Sequence, residues 1–126
     1  MSAAVTTLAI CLAGGIGAAL RLVLDGLIRD RVASTFPVGT TVINLSGSLL
    51  LGLLTGLASQ HLVPHPWQLI AGIGLLGGYT TFSTASFETV RLTEDRRYTA
   101  AALNGIGTLI IGTGAAAVGL IAGLAL

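Results

Sequence analysis

The densest polar stretch of this chain lies inside a hydrophobic segment and carries six hydroxyl side chains within ten residues. They are Thr80, Thr81, Ser83, Thr84, Ser86 and Thr89. In lipid an unpaired polar group is costly, so such a stretch is tolerated only where it is buried in protein or lines a water-filled path. Hydroxyls can bond to carbonyls one helical turn earlier, but this many exceed that need. The pattern therefore indicates a path for a small ion or polar solute.

Two glycines, Gly77 and Gly78, come directly before this stretch and predict a break in a membrane helix at that point. A break frees backbone carbonyls and N–H groups at mid-membrane depth. Freed carbonyls can coordinate a small cation, whereas N–H groups and hydroxyls can meet an anion. From the residues alone, both kinds of ion binding stay open.

Three further polar residues lie within or at the ends of hydrophobic segments. Asn44 is the one amide of the second segment, and it either joins helices or serves the path. Arg21 ends the first segment, where it either anchors the helix or raises the local concentration of anions at a vestibule. Glu88 lies near the end of the third segment, and we expect it to pair with an arginine or to accept local hydrogen bonds.

These residues must be positioned by helices, because the composition predicts an all-α membrane protein. Charged residues make up 9% of the 126 residues and hydrophobic residues 53%, against about 25% charged in soluble domains. A span needs about 20 mostly apolar residues. Four such segments cover most of the chain, roughly Ala3–Leu24, Val38–Ala58, Trp67–Val90 and Thr99–Leu126. We predict one domain of four transmembrane helices, the third broken, in a lipid bilayer. The net charge of +1 indicates no nucleic acid partner.

All six basic residues lie in or beside two of the three connections between these segments. They are Arg21, Arg29, Arg31, Arg91, Arg96 and Arg97. The connections Asp25–Phe36 and Arg91–Tyr98 carry or adjoin all of them, whereas Ser59–Pro66 has no lysine or arginine. The positive-inside rule therefore places the first and third connections in the cytoplasm and both termini outside.

Small residues recur at four-residue spacing in two of the segments, a pattern that lets membrane helices approach closely. They are Ser48, Gly52 and Gly56 in the second segment and Ala115, Gly119 and Gly123 in the fourth. They either pack within one subunit or form a dimer surface. We favour an oligomer, because four helices alone make a bundle too thin to enclose a polar path.

Other function classes find little support in the residues. No nucleophile lies beside a base, so we do not expect an enzyme. No carboxylate occurs between Met1 and Leu24, which argues against a proton-coupled cation exporter built around an acidic residue in its first helix.

The chain resembles the Fluc (CrcB) family of fluoride channels in three motifs that run in order over essentially its whole length. The first is Gly14-Gly15-Ile16-Gly17-Ala18 followed by Arg21. The second is Pro37-Val38-Gly39-Thr40 leading to Asn44-Leu45. The third and most specific is Gly77-Gly78-Tyr79-Thr80-Thr81-Phe82-Ser83-Thr84 with Glu88-Thr89.

The resemblance implies two four-helix subunits packed antiparallel in a bacterial inner membrane, with two fluoride pores and passive, selective export of fluoride. It also implies a structural Na+ ion at the dimer centre, which is not transported and is held by the backbone carbonyls of Gly77 and Thr80 in each subunit. Phe82 would present its ring edge to the anion. The residues expected along the anion path are Asn44, Thr81, Phe82, Ser83, Thr84 and Thr108.

Two positions depart from the family pattern. Ala85 stands where a second phenylalanine is usual, with an aromatic only at Phe87, and Asn104 stands where a tyrosine is frequent. The one-sided arginine distribution also suits one fixed orientation better than insertion both ways. We therefore favour a heterodimer with a paralogue of opposite bias over a homodimer. Two alternatives remain: a small multidrug-resistance-type proton-coupled transporter, and a non-conducting partner subunit of a heterodimeric fluoride channel.

Overall fold

The computed structural model describes residues 1–126, and its regular structure is entirely helical. Three helices are long and apolar enough to cross a membrane, namely Ala3–Arg31, Val38–Ser59 and Tyr98–Ala125. The elements in chain order are α1 (Ala3–Arg31), α2 (Val38–Ser59), α3 (His65–Leu69), a π-helical segment (Ile70–Leu76), α4 (Gly77–Tyr79), α5 (Ser83–Glu94), α6 (Tyr98–Ala102), a second π-helical segment (Leu103–Gly107) and α7 (Thr108–Ala125). The predicted span Trp67–Val90 is therefore divided among several short elements.

Helix α1 continues to Arg31, so the first part of the predicted connection Asp25–Phe36 is helical. Its start is capped by Ser2, whose hydroxyl accepts a hydrogen bond from the Val5 N–H at 3.3 Å. Near its end Arg29 pairs with Asp25 at 3.1 Å, four residues apart on one face. This helix exceeds the roughly 20 residues that a bilayer requires, so its charged last turns can extend into water.

Helices α2 and α7 pack side by side through their small residues. A Cβ atom on Gly56 would lie 2.6 Å from the Leu120 carbonyl oxygen, and one on Gly119 would overlap the Leu49 carbonyl oxygen. Glycine is required at these positions because backbone faces backbone. The four-residue spacing thus serves packing within one subunit, and its interpretation as a dimer surface is wrong for these glycines.

The glycine pair Gly77-Gly78 lies within the helix, so the prediction of a break at that point is wrong. A Cβ atom on Gly78 would overlap the Gly14 carbonyl oxygen, and one on Gly74 would lie 2.8 Å from the Ile10 carbonyl oxygen. These glycines let the helical run of residues 65–79 contact the backbone of α1. The sequence pattern was misread because glycines that permit close packing and glycines that end a helix look alike.

The helical hydrogen bonding is interrupted after Tyr79 instead. The Leu76 carbonyl accepts from the Thr80 N–H at 3.0 Å, and regular bonding resumes at Phe82, whose carbonyl accepts from the Ser86 N–H at 2.9 Å. Between these points Thr80 adopts an extended conformation with φ −82° and ψ 161°. Residues 80–82 belong to no helix, and their polar groups need other partners.

Two connections turn on residues with left-handed backbone conformation. His61 and Arg96 both have φ of 58°. After α2 the Leu62 N–H donates to the Leu57 carbonyl at 3.0 Å, and after α5 the Arg97 N–H donates to the Leu92 carbonyl at 2.9 Å. Both are Schellman-type helix ends, in which glycine is the usual left-handed residue.

Candidate functional site

A cavity of about 490 Å³ lies between α2, the interrupted segment and α7. Polar side chains from all three elements line it, and these are Asn44, Ser48, Thr80, Thr81, Thr108 and Thr113. Gly77 and Phe82 complete the part of the lining that the sequence singled out. The fold therefore brings together residues that are far apart in the chain, since Asn44 and Thr108 both line this cavity.

Asn44 is bound to the peptide group of Thr81 by two reciprocal hydrogen bonds. Its Nδ2 donates to the Thr81 carbonyl at 2.8 Å, and its Oδ1 accepts from the Thr81 N–H at 2.9 Å. The reciprocal pattern also fixes the orientation of the amide. In a flipped side chain Nδ2 would face the Thr81 N–H and Oδ1 would face the Thr81 carbonyl, and neither hydrogen bond could form. Nδ2 carries two hydrogens, so one remains free to donate to a group in the cavity.

Four consecutive carbonyl groups, those of residues 77–80, are left without a hydrogen bond from the helix. The 16 backbone hydrogen bonds outside the regular helical ladders include none to these four oxygens, and no side chain donates to them either. Gly77 is moreover exposed on the surface of the single chain. Carbonyl oxygens in a membrane must find partners, and hard cations such as Na+ prefer oxygen ligands of this kind.

Phe82 stands at the edge of this cavity with 88% of its surface exposed. Next to it the Thr81 hydroxyl accepts from the Thr84 N–H at 3.2 Å and donates to the Thr84 hydroxyl at 3.1 Å, which starts α5. Ser83 and Thr84 lie outside the lining of the cavity. Phe82 therefore presents an unobstructed ring, whose edge carries positive electrostatic potential.

Glu88 lies at a second cavity, of about 380 Å³, formed by the connection between α1 and α2 together with α5. One of its carboxylate oxygens accepts from the Thr40 hydroxyl at 2.6 Å, and Thr40 is only 4% exposed. Glu88 forms no ion pair, since the structure has one salt bridge and it joins Arg29 to Asp25. Of the two alternatives predicted for Glu88, the structure therefore shows the hydrogen bond and not the arginine pair, and the donor is Thr40 of α2, to which the sequence analysis assigned no role.

Arg21 lies on α1 outside both cavities, although its side chain is half-buried. Its Nε is buried without a hydrogen-bond partner in the single chain. It forms no salt bridge. The structure of the chain therefore does not join Arg21 to the other residues predicted for the site.

The two residues that depart from the family pattern contact each other. The Asn104 amide is 3% exposed and donates through Nδ2 to the Ala85 carbonyl at 3.2 Å and to the Thr89 hydroxyl at 2.8 Å. Thr89 in turn donates to the Ala85 carbonyl at 2.8 Å. This closed set of hydrogen bonds links the second π-helical segment to α5. No periodic pattern in the sequence predicted these hydrogen bonds.

Comparisons with a family profile and with named proteins all indicate the same family. A family profile described as "CrcB-like protein, Camphor Resistance (CrcB)" matches residues 8–120. A protein of Leifsonia xyli named fluoride-specific ion channel FluC 1 is 55% identical over 90% of this chain and 82% of its own length. FluC 2 of Cutibacterium acnes is 46% identical over 94% of this chain and 97% of its own length. FluC 2 of Mycobacterium tuberculosis is 44% identical over 87% of this chain and 84% of its own length.

Proposed function

The chain belongs to the CrcB family of multi-pass membrane proteins, and on that premise we propose that it is a subunit of a fluoride-specific ion channel of the plasma membrane. The proposed activity is passive export of fluoride and not an enzymatic reaction. Residues 65–94 would form the remaining membrane crossing as a broken helix, giving four crossings in all. Their helical pieces on either side of residues 80–82 support this assignment.

The observation that carries the proposal is the cavity beside the interrupted segment. Fluoride is small and tightly hydrated, so a selective path must replace its water with hydrogen-bond donors. The cavity offers the free N–H of Asn44 and the nearby ring of Phe82. The hydroxyls of Thr81 and Thr108 also line it, and they would donate to the anion by turning away from Thr84 and from the Leu103 carbonyl. It contains no basic side chain that would hold the anion too tightly to release it.

Export through such a path needs no ATP. Uncharged HF crosses lipid and dissociates in the more alkaline cytoplasm, which leaves fluoride trapped inside. A membrane potential of 100 mV, negative inside, is worth about 2.3 kcal/mol per charge. That energy sustains an approximately fifty-fold lower fluoride concentration in the cytoplasm, at about 1.4 kcal/mol per factor of ten. A passive channel is therefore sufficient.

We further propose that the carbonyls of Gly77 and Thr80 hold a structural sodium ion that is not transported. Their lack of hydrogen-bond donors supports this assignment, because free oxygen ligands fit a hard cation. When bound, the ion would supply positive charge near the anion path and a fixed anchor for the interrupted segment. The Thr80 hydroxyl has a separate role. It donates to the Leu76 carbonyl at 3.0 Å and keeps the segment joined to the preceding helix.

The channel is proposed to assemble as an antiparallel dimer. A single chain leaves Gly77 and Phe82 exposed beside unpaired carbonyls, and lipid cannot satisfy these polar groups. A second subunit over the same face would cover them and complete both paths. Since all six arginines lie at or near the first and third connections, we propose a paralogue of opposite orientation as the partner. Relatives named FluC 1 and FluC 2 fit a family that contains paralogues.

Fluoride efflux from liposomes tests the proposal. The purified chain is reconstituted alone and together with a paralogue, and efflux of fluoride and of chloride is measured with ion-selective electrodes. We expect fluoride efflux far above that of chloride, strongest with the paralogue, and reduced at least tenfold by Asn44→Ala. Ser59→Ala, on the same helix but remote from the cavity, is the matched control. Absence of fluoride efflux under both conditions refutes channel activity, and robust efflux from the chain alone refutes the need for a paralogue.

A second candidate is a non-conducting partner that stabilises a conducting paralogue. The Asn104–Ala85–Thr89 hydrogen bonds favour it, because an amide and an alanine stand where the family pattern has two aromatic side chains. In that case this chain itself would not conduct. Liposomes containing this chain together with a paralogue whose own path is blocked would then show no fluoride efflux. Proton-coupled efflux of organic cations from the same liposomes would instead indicate the multidrug-resistance type.

A further inference from the structure

The Tyr79 hydroxyl, at the last residue before the interruption, is hydrogen-bonded to the Ser46 hydroxyl of α2 at 2.9 Å. Ser46 has a single hydroxyl hydrogen, which it donates to the Ile43 carbonyl at 3.1 Å. Tyr79 must therefore be the donor toward Ser46. The bond is directional, and through Ser46 it joins the interrupted segment to the carbonyl of Ile43 in α2, a residue that is only 1% exposed.

Three nearby positions of α2 hold three consecutive residues of the segment. Asn44 binds the peptide of Thr81, and Ser46 binds Tyr79. Gly47 follows Ser46, and a Cβ atom there would overlap the Thr80 methyl group and lie 3.4 Å from the Tyr79 ring. The segment therefore contacts α2 closely on one side, and its position follows from that helix.

Two of the residues so held, Tyr79 and Thr80, carry unpaired carbonyls. Carbonyl groups of residues 77–80 receive no hydrogen bond, so no donor acts directly on these oxygens. The attachment at Thr81 lies immediately after the last residue of this set. The attachment at Tyr79 lies within it, one residue from Thr80 and two from Gly77.

We propose that Tyr79, through its hydrogen bond to Ser46, is a positioning residue that sets the directions of the Gly77 and Thr80 carbonyls and thereby their affinity for sodium. This inference rests on the proposed function, because it assumes the structural sodium site. Tyr79 contributes no ligand itself. Its hydroxyl is engaged with Ser46, and its effect is to hold the backbone in the conformation that binds the cation.

Sodium-dependent thermal unfolding of the purified full-length chain tests the inference independently of transport. Sodium chloride is varied at constant ionic strength with N-methylglucamine chloride, for the parent protein, Tyr79→Phe, Ser46→Ala and the double variant. We expect each single variant to raise the sodium concentration for half-maximal stabilisation by about three- to tenfold, the effect of losing one neutral hydrogen bond. The double variant should show no further increase, because both changes remove the same bond.

Two control variants separate positioning from general loss of stability. Tyr98→Phe changes an exposed tyrosine, and Ser59→Ala removes a hydroxyl from the exposed end of α2. Neither should change the sodium dependence. If Tyr79→Phe lowers the melting temperature equally at all sodium concentrations, the hydrogen bond is merely structural and the inference is overturned.

The remaining outcomes distinguish the inference from the proposal that it rests on. A parent protein stabilised by sodium, with Tyr79→Phe responding identically, retains the sodium site and overturns the role of Tyr79. A parent protein that does not respond to sodium overturns both. Fluoride efflux from liposomes, measured on the same preparations, then decides separately whether the chain conducts.

Discussion

The close packing of α2 against α7 makes a sharp prediction for Gly56. A Cβ atom there would lie 2.6 Å from the Leu120 carbonyl oxygen and 2.8 Å from the Gly123 Cα, whereas ordinary contact begins at 3.4 Å. All the nearest atoms belong to backbone, so no side chain can rotate away. Gly56→Ala therefore requires the two helices to separate by roughly 0.8 Å, the difference between contact and the observed distance to Leu120.

Two opposing effects decide how much Gly56→Ala changes the free energy of unfolding. Replacing glycine by alanine in a helix stabilises by about 0.5–1 kcal/mol. Overpacking a close contact costs about 1–3 kcal/mol. Moving the two helices apart also weakens the neighbouring contacts along them. We therefore expect a net destabilisation of about 1–2 kcal/mol for Gly56→Ala.

Gly114 of α7 is the matched control, because a Cβ atom there meets nothing within 4 Å. Gly114→Ala should leave the free energy of unfolding unchanged or raise it by about 0.5–1 kcal/mol. Thermal or denaturant unfolding in detergent, at several protein concentrations, measures both variants against the parent.

Protein concentration distinguishes the two interpretations of the small residues. Packing within one subunit makes the loss in Gly56→Ala independent of concentration. A loss that vanishes in dilute monomer would assign Gly56 to an intersubunit surface and refute the packing argued from the structure. If Gly56→Ala and Gly114→Ala were equally stable, the backbones of α2 and α7 would not be in close contact at Gly56.

Four further variants test other parts of the structure. Asn44→Ala removes both hydrogen bonds to Thr81, so unfolding should become easier by about 1–3 kcal/mol in detergent melts. Thr40→Val leaves the Glu88 carboxylate without its donor and should cost about 1.5–3 kcal/mol in the same assay, whereas no loss would argue against this bond. Asn104→Leu should destabilise by about 1–3 kcal/mol and release α5, seen as faster amide hydrogen exchange there. His61→Gly relieves a left-handed conformation and should stabilise by about 1 kcal/mol, and a lower melting temperature would contradict that reason.

The membrane character and the family of this chain follow from local features of the sequence. Hydropathy identifies apolar segments because every residue of a span contributes independently to its transfer into lipid. Three long helices bear this out. The run from Gly77 to Thr84, together with the two earlier motifs, indicated the CrcB family, which the comparisons confirm.

The position of the interruption could not be read from the same run. Gly77 and Gly78 suggested a break because glycine weakens helices, yet glycine also permits close contact between helices. Only the position of Gly14 opposite Gly78 distinguishes these two uses. The small residues of α2 and α7 posed the same ambiguity, and the partner helix again decided it.

Polar residues show the division most clearly. Composition alone required that the hydroxyls and the amide of Asn44 find partners away from lipid, because unpaired polar groups are too costly there. Which partners they find depends on contacts between residues far apart in the chain, such as Thr40 and Glu88, which are 48 positions apart. A sequence states which groups must be satisfied, whereas only the packed helices determine that Asn44 binds Thr81, that Tyr79 binds Ser46, and that the carbonyls of residues 77–80 receive no hydrogen bond within the chain.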